Sequence, residues 1–290
     1  PSGQGAATRR FYSGRHRSLL PPVEIALSTE SLILTDRPRP FRATPPLPAA
    51  APRALRVELA RSRAEIEATQ RLRYAIFAGE MGAKLHNRIP GLDHDRFDAC
   101  CQHLIVRDGL DRIIGCTRIL TAEAARRAGG FYSQTEFDLG PVLALPGRFV
   151  EIGRTCVHPD YRNGATIGTL WSGLAAFIAE QRMDYLIGCA SIPLGEDGGQ
   201  ARALYAELAQ RHLVPEPLRV KPHLPLPRRD GIAYGQYAVP PLLKAYLRLG
   251  AQIGGEPCLD PDFKVADVFV LLSSQRIERR YARHFLDRDQ

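Results

Sequence analysis

The chain has 290 residues, of which 44% are hydrophobic and 24% are charged, and its formal net charge is +8. This composition is ordinary for a globular protein with one large or two small domains, and no apolar run is long enough for a membrane helix. The six cysteines form no CxxC pair and no Cys/His zinc spacing, which indicates reduced thiols. A basic chain can bind nucleic acid, anionic lipid or an acidic protein, and charge alone does not choose among these partners.

The first part of the chain, residues 1–53, is rich in proline and arginine. Such a composition buries little apolar surface, so we expect a mostly disordered leader with at most a short strand near residues 32–34. The opening is rich in arginine and poor in acids, but it lacks the apolar core of a signal peptide. The folded domain is therefore predicted to span residues 54–290, with a basic extension at its end.

Strands and helices alternate along the predicted domain. Alternating or buried apolar runs predict strands at residues 55–59, 104–106, 113–120, 149–157, 185–190 and 268–272. A capping box from Ser62 to Glu65 predicts a helix through RLRYAIFAGEMG. Helical or amphipathic spacing is found at residues 169–178, 199–210, 242–253 and 275–285. This order predicts an α/β or α+β fold, with a mixed central sheet flanked by helices.

The strand at residues 149–157 and the loop after it carry the strongest signal for chemistry. Glu151 and Arg154 are charged residues at positions where a purely structural strand would carry uncharged polar residues. The polar loop HPDYRNG leads into a helix, and the first amides of a helix lack intrahelical partners and favour a phosphate. We therefore predict that the reaction takes place beside this strand and that the loop after it binds a phosphate group.

The same loop resembles the GNAT acyltransferase motif Arg/Gln-x-x-Gly-x-Gly/Ala, which reads RNGATIG here. The two glycine positions are Ala165 and Ile167, which suggests a looser fit to the pyrophosphate of coenzyme A. A carrier protein has only one phosphodiester on its pantetheine arm and would demand less of this loop. The resemblance assigns binding of the donor phosphopantetheine to five residues, Val157, Arg162, Asn163, Gly164 and Gly168.

A wider set of residues resembles the acyl-homoserine-lactone synthases, which share the GNAT fold and take acyl groups from acyl carrier protein. Their pattern is Arg-x-x-x-Phe, Asp-x-x-Asp, Arg and Glu-x-x-Arg, in that order. The matching residues are Arg73, Phe77, Asp95, Asp98, Arg118, Glu151 and Arg154. Each charged residue alone also fits a solvated surface position, because charged side chains are mostly exposed. The order and spacing of the whole set favour a site.

Longer segments resemble the ornithine–acyl-carrier-protein N-acyltransferases of bacteria, and they are RLRYAIFAGEMG, GLDHDRFD, FVEIGRTCVHPDYRNGATI and PPLLKAYLRLGA. This resemblance implies transfer of a 3-hydroxyacyl group to the α-amine of L-ornithine, giving lyso-ornithine lipid. The alternatives are a homoserine lactone synthase, another amino-acid N-acyltransferase, or a non-catalytic basic protein that binds membrane or nucleic acid. The intact strand with Glu151 and Arg154 disfavours the last, because function is argued from the site.

Amide formation requires a neutral amine, so a carboxylate base is expected, and Glu151 is the candidate. Tyr205 matches a tyrosine that many GNAT enzymes use to protonate the leaving thiolate, and the alternative is a packed helix tyrosine. Arginine forms bidentate pairs with carboxylates, so Arg73, Arg118 and Arg154 are expected to hold acids or the substrate carboxylate. The resemblance implies no metal and no cofactor beyond the carrier-protein thioester, which is the donor substrate.

The expected partners are acyl carrier protein, L-ornithine and the anionic inner face of the cytoplasmic membrane, with no nucleic acid. The amphipathic segment at residues 242–253 and the arginine-rich end are expected to dock on anionic lipid. The alternative is that the apolar stripe of this segment faces the core. The enzyme is therefore expected in the cytoplasm, peripheral to the membrane.

Overall fold

The computed structural model describes residues 55–87, 89–227 and 237–276. The leader at residues 1–53, its expected strand and most of the expected closing helix lie outside these residues. Within the described ranges, no helix combines the length and apolar character that a membrane span requires.

A mixed sheet of eight strands forms the centre of the described structure. The strands in chain order are β1 (Arg56–Leu59), β2 (Gln102–Arg107), β3 (Ile113–Thr121), β4 (Phe137–Asp138), β5 (Phe149–Val157), β6 (Tyr185–Pro193), β7 (Lys221–Pro222), β8 (Gln252–Ile253), β9 (Cys258–Asp260) and β10 (Val265–Ser273). Their order in the sheet is β1-β2-β3-β5-β6-β10-β8, with β9 also paired to β10, while β4 and β7 form a separate ribbon. All neighbours in the large sheet are antiparallel except β5 and β6. The expectation of a mixed sheet is confirmed.

Helices cover both faces of the sheet. They are α1 (Arg63–Tyr74), α2 (Ala122–Ala128), α3 (Gly140–Leu143), α4 (Gly164–Glu180), α5 (Gly199–His212) and α6 (Pro241–Arg248). The predicted capping box starts α1, because the Ser62 hydroxyl accepts from the Glu65 amide and the Glu65 carboxylate accepts from the Ser62 amide. Sequence analysis did not predict α2, α3 or the 3₁₀ turn at Tyr132–Thr135.

The segment predicted as amphipathic at residues 242–253 is not one helix. Helix α6 ends at Arg248, and Gly250 takes a left-handed φ of 96°, which only glycine adopts readily. The chain then enters β8, where Ile253 pairs with Val270 of β10. The apolar side chains of α6 pack in the core, and the buried ones are Leu243, Tyr246 and Leu247. The apolar stripe therefore faces the core, as the alternative interpretation held.

Strand β5 divides the core into two layers. Val150 and Ile152 point to the layer that contains α4, α5 and α6. Phe149 points to the opposite layer, which contains α2 and the connection that follows it. Because side chains alternate along a strand, Glu151 lies on the Phe149 face, buried beneath that connection.

Strand β5 stops pairing with β6 after Glu151, touches it once more at Gly188, and then carries a bulge that changes the direction of its side chains. The strands pair only from Phe149 to Glu151, and a Cβ at Gly188 would lie 2.4 Å from the Ile152 carbonyl oxygen. The register of β5 against β3 then shifts, and Arg154 takes a φ of 52°. Such a bulge adds one residue to the strand and moves the alternation by one. Arg154 therefore lies on the same face as Glu151.

Candidate active site

A cavity of about 210 Å³ lies where β5 and β6 separate. Residues 152–155 of β5 and 189–191 of β6 form two of its walls, and α6 contributes a third. A second cavity of about 470 Å³ adjoins it. The side chains common to both are Phe97, Tyr132, Arg154, Asp260 and Phe263. The two cavities meet at this group of side chains, so one molecule could enter from each side.

Glu151 lies in the wall of the first cavity and is held by the turn that follows α2. Its Oε2 accepts from the Tyr132 amide at 2.6 Å, and its Oε1 accepts from the Ser133 amide at 2.7 Å and from the Ser133 hydroxyl. Burial raises the pKa of Glu151 above its ordinary value, although these hydrogen bonds act in the opposite direction. A carboxyl with a raised pKa is a stronger proton acceptor, so the environment suits the predicted base.

Two of the predicted arginines anchor the GLDHDRFD loop on the sheet. Arg73 is fully buried and reaches Asp93 at 2.8 Å and Asp98 at 2.8 Å. Arg118 reaches Asp95 at 2.6 Å and Asp98 at 3.3 Å. The structure thus brings Arg73, Arg118, Asp95 and Asp98 together, and it adds Asp93, which sequence analysis did not select. These arginines hold acids, which was one of the two expected roles.

The ionised state of this network is stabilised by its own charges. Burial opposes ionisation of Asp95, but Arg118 and Arg154 hold its pKa well below its usual range. Burial also opposes the charge on Arg118, whereas Asp95 and Asp98 raise its pKa. Opposite charges at these distances favour the charged forms of both partners. The salt bridge between Asp95 and Arg118 therefore stays ionised at neutral pH and holds this part of the loop.

Arg154 is the arginine that lines both cavities. It lies 3.4 Å from Asp93 and 3.7 Å from Asp95, so it joins the edge of the network. Its guanidinium lies 4.7 to 5.8 Å from the centroids of three aromatic rings, those of Phe263, Tyr132 and Phe77. Its Nε is buried and makes no hydrogen bond in the described structure, and it is the atom that faces Asp93 in the 3.4 Å contact. The guanidinium lines both cavities, so it can receive a carboxylate there.

The residues predicted to bind the donor phosphate lie at the start of α4, but the arginine is already occupied. Both Nη atoms of Arg162 reach the Glu80 carboxylate, at 2.5 and 2.6 Å. Its Nε donates to the Val157 carbonyl at 3.2 Å. Glu80 is the last residue of a π-helical turn, Ala75–Glu80, that continues α1. Arg162 therefore fixes the loop to the end of this turn, and its charge is largely balanced by Glu80.

The N-terminus of α4 is capped by the side chain of its own N-cap residue, Asn163. The Asn163 side chain accepts from the Thr166 amide at 3.1 Å. Gly164 is the first residue of α4, and Gly168 lies one turn further along. Apart from its chain neighbours and the backbone of its own helix, no heavy atom would lie within 4 Å of a Cβ at Gly168, so the space beside it is open. The structure brings Val157, Arg162, Asn163 and Gly164 together, and their contact with a phosphate stays a prediction.

Tyr205 lies on α5 and packs partly buried against the apolar core, and it is not among the side chains that line either cavity. The structure therefore does not bring it to Glu151. Tyr132 and Tyr246 do line the first cavity, and burial raises the pKa of both phenols. A role for Tyr205 as the acid stays a prediction.

Three carboxylates that sequence analysis did not select converge where the cavities meet. They are Glu136, Asp260 and Asp267, and one oxygen from each lies within 4.8 Å of the others. Glu136 follows the 3₁₀ turn, Asp260 ends β9 and Asp267 lies in β10. The acids come from separate segments, so no sequence spacing joins them. Their oxygens could receive a cation, either a metal ion or an ammonium group.

Comparison with known proteins places the chain in a family. The family model described as an acetyltransferase (GNAT) domain matches residues 72–172. An L-ornithine N(alpha)-acyltransferase of Rhodobacter capsulatus is 36% identical over 255 residues, which cover 83% of this chain and 98% of that protein. The chain belongs to the L-ornithine N(alpha)-acyltransferase family. A member from Agrobacterium fabrum is 37% identical over 253 residues, covering 80% of this chain and 85% of that protein.

This acyltransferase also has solved structures among its similar proteins. A CoA-dependent acyl-homoserine lactone synthase, solved with SAM and isopentyl-CoA, is 15% identical, with a TM-score of 0.45. The alignment covers 79% of this chain and 88% of that one. The expected GNAT-like fold is confirmed by the family model and the mixed sheet. The matched residues 72–172 contain Glu151 and the arginine–aspartate network, whereas Tyr205, Asp260 and Asp267 lie beyond them.

Proposed function

We propose that this acyltransferase transfers a 3-hydroxyacyl group from acyl carrier protein to the α-amine of L-ornithine, giving lyso-ornithine lipid. The relatives named L-ornithine N(alpha)-acyltransferases support the acceptor, because the similarity extends over 98% of one of them. The observation that carries the chemistry is the cavity between β5 and β6, with the buried Glu151 carboxylate in its wall. It offers a proton acceptor inside a gap between two strands whose pairing has ended.

The reaction uses one proton acceptor and one proton donor. The neutral α-amine attacks the thioester carbon, a C–N bond forms, and Glu151 accepts the proton that the nitrogen loses, directly or through water. Backbone amides of β5 can stabilise the oxyanion while it carries charge. The C–S bond then breaks, and the pantetheine thiolate takes up a proton. Tyr205 is the donor predicted from sequence, and Tyr246 is a second candidate because it lines the cavity.

Arg154 is the proposed site for the ornithine carboxylate. It lines both cavities, and its contacts with Asp93 and Asp95, at 3.4 and 3.7 Å, are longer than those that Arg73 and Arg118 make with the aspartates. Arg73 and Arg118 form shorter salt bridges with the aspartates, so their role is to hold the loop. The ring of Phe77 packs against one side of the Arg154 guanidinium. A carboxylate bound at Arg154 leaves the α-amine on the Glu151 side of the cavity, since both residues lie on one face of β5.

The proposed donor is a carrier protein rather than acyl-CoA. Arg162 is paired with Glu80 and the Asn163 side chain caps the helix, so this end of α4 offers less to a pyrophosphate than the full motif would. A net charge of +8 favours encounter with an acidic carrier protein. Because the product bears an acyl chain, we also propose that the enzyme works in the cytoplasm at the inner membrane face. Lys244 and Arg248 on the exposed side of α6 would contact anionic lipid.

One assay tests the function. The purified full chain is incubated with 3-hydroxyacyl carrier protein and, in separate reactions, with L-ornithine, other amino acids and S-adenosylmethionine. Mass spectrometry is expected to find an ornithine conjugate, with fragmentation that places the amide on the α-nitrogen. Efficient transfer to a different amino acid, or formation of a homoserine lactone, would overturn the proposal in favour of the alternatives.

A further inference from the structure

The acid cluster of Glu136, Asp260 and Asp267 forms no salt bridge with a cationic side chain among the residues that the structure describes. No hydrogen bond of good geometry reaches either carboxylate oxygen of Glu136 or Oδ1 of Asp267 in the described structure, although the side chains of Tyr132 and Cys189 lie close enough to Glu136 to lower its pKa against the larger effect of burial. Glu136 and Asp267 are both more than nine-tenths buried. No salt bridge joins any of the three acids to a described lysine, arginine or histidine within 4 Å. Buried carboxylates without partners are costly, so their convergence points to a cationic ligand.

Each acid is fixed by the element that carries it. Asp260 accepts at Oδ1 from the Asp262 and Phe263 amides, at 2.9 and 3.0 Å. Asp267 lies opposite Ser191 in the pairing of β10 with β6. The carbonyl of Glu136 accepts from the His223 amide at 2.7 Å. The cluster is therefore held in place before any ligand arrives.

The cluster lies where it would meet the acceptor. Asp267 lines the first cavity, Glu136 lines the second, and Asp260 lines both. Arg154 lines both cavities too, and its positive charge acts to lower the pKa of Glu136 and of Asp267, although it forms no salt bridge with either residue. A cationic site and an anionic site thus lie within one pair of adjoining cavities. That arrangement fits a molecule with a carboxylate at one end and an ammonium group at the other.

We infer that Glu136, Asp260 and Asp267 bind the side-chain ammonium of the acceptor and so select an amino acid with a second amine. This inference rests on the proposed function and adds to it the residues that recognise the side chain of ornithine. An ammonium group has three N–H donors, one for each carboxylate. Magnesium and calcium ions take six or more oxygen ligands, so a metal ion here would need bidentate carboxylates or added water, whereas an ammonium group needs only the three acceptors that the cluster offers.

The test compares two acceptors of equal chain length. L-Norvaline has the carbon chain of ornithine but no side-chain amine. In Asp267→Asn we expect kcat/KM for ornithine to fall roughly 10- to 100-fold, through KM, because a charge-assisted hydrogen bond is lost. The value for norvaline should be unchanged. The matched control is Asp138→Asn, which removes an exposed charge that lines neither cavity, keeps the oxygen that accepts from the Gly140 amide, and should leave the ornithine/norvaline ratio as in the wild type.

A measurement without the acyl donor separates this inference from the proposed function. Ornithine is expected to raise the melting temperature of the wild type and not that of Asp267→Asn, while norvaline raises neither. Without ligand the variant should melt at or above the wild-type temperature, since a buried repulsive charge is removed. If ornithine raises the melting temperature as expected but no acyl transfer is detected, only the proposed function is contradicted. The inference would be overturned if Asp267→Asn lowered kcat/KM equally for ornithine and norvaline. It would also be overturned if EDTA abolished acyl transfer by the wild type and Mg²⁺ restored it.

Discussion

Glu151 and Arg154 lie on the same face of β5, yet they do not pair with each other. Glu151 accepts its hydrogen bonds from Tyr132 and Ser133, whereas Arg154 lies 3.4 Å from Asp93. The Tyr132 residue contacts both, through its amide to Glu151 and through its ring beneath the Arg154 guanidinium. A simple ion pair between the two charges of the strand is therefore not what holds Glu151 in place. Its carboxylate remains beside the cavity as a candidate base.

The first prediction concerns Glu151→Gln. Glutamine keeps the size of the side chain but cannot accept the proton of the amine, so the transfer rate should fall about 10²- to 10⁴-fold. The pH–rate profile of the residual activity should lack the acidic limb that the wild type shows. Circular dichroism and thermal melting check that the variant is folded. A variant that retains the acidic limb would contradict the base role.

A second variant, Ser133→Ala, tests whether the Glu151 carboxylate is the group that titrates in the pH–rate profile. The Ser133 hydroxyl donates to Oε1 and favours the ionised form of Glu151. Removing this donor should raise the pKa of Glu151 further, so the acidic limb of the profile should move to higher pH. If the limb stays where it is in the wild type, the group that titrates is not Glu151.

The second prediction concerns the stability supplied by Asp95. Its pKa is depressed in the folded protein by Arg118 and Arg154, so its contribution is present above the unfolded-state pKa of about 3.9 and is lost as the pH falls further. Asp95→Asn should lower the free energy of unfolding by about 1–3 kcal/mol at pH 7. Urea unfolding across pH 7 to 2 should show the gap between wild type and variant closing only below about pH 4. A gap that is unchanged at low pH would contradict the assignment.

The third prediction concerns the donor. Transfer from 3-hydroxyacyl carrier protein should be faster than transfer from the same acyl-CoA at equal concentration, because Arg162 is already paired with Glu80. Added salt should slow the carrier-protein reaction, since screening weakens attraction between a basic enzyme and an acidic partner. Equal or better use of acyl-CoA would refute the carrier-protein donor.

The fourth prediction concerns membrane contact through the exposed side of α6. The apolar side chains of this helix are in the core, so only an electrostatic contact through Lys244 and Arg248 is open to it. Vesicle flotation should recover the full chain with anionic vesicles and less with neutral ones, and Lys244→Glu/Arg248→Glu should reduce the difference. Equal recovery with both vesicle types would exclude the electrostatic contact.

The fifth prediction concerns Gly188, where β5 and β6 touch before they separate. A Cβ there would lie 2.4 Å from the Ile152 carbonyl oxygen, so Gly188→Ala must push the strands apart. We expect a loss of about 1–3 kcal/mol in the free energy of unfolding, as for other overpacked sites. Gly168→Ala is the control, because no heavy atom outside its own helix backbone lies within 4 Å of its Cβ position. Thermal melting that finds the two variants equally stable would contradict this account.

Much of the fold followed from local patterns in the sequence. Strand β5 has the predicted ends, Phe149 and Val157, because apolar alternation and the His-Pro-Asp turn define them. The capping box placed the start of α1 correctly, since Ser62 and Glu65 satisfy each other's backbone amides without help from the rest of the fold. The residues of the arginine–aspartate network were selected as a set, except for Asp93.

Tertiary structure decided what each of those residues does. The bulge at Arg154 sets which face its side chain takes, and bulges depend on pairing with a neighbouring strand rather than on local sequence. The turn at residues 132–135 supplies the donors to Glu151, although nothing in its sequence signals a partner 18 or 19 residues away. The sequence by itself determined the elements, the family resemblance and the candidate base. Only packing of distant segments brought Glu136, Asp260 and Asp267 together, because residues far apart in the chain meet only when the sheet and its connections are assembled.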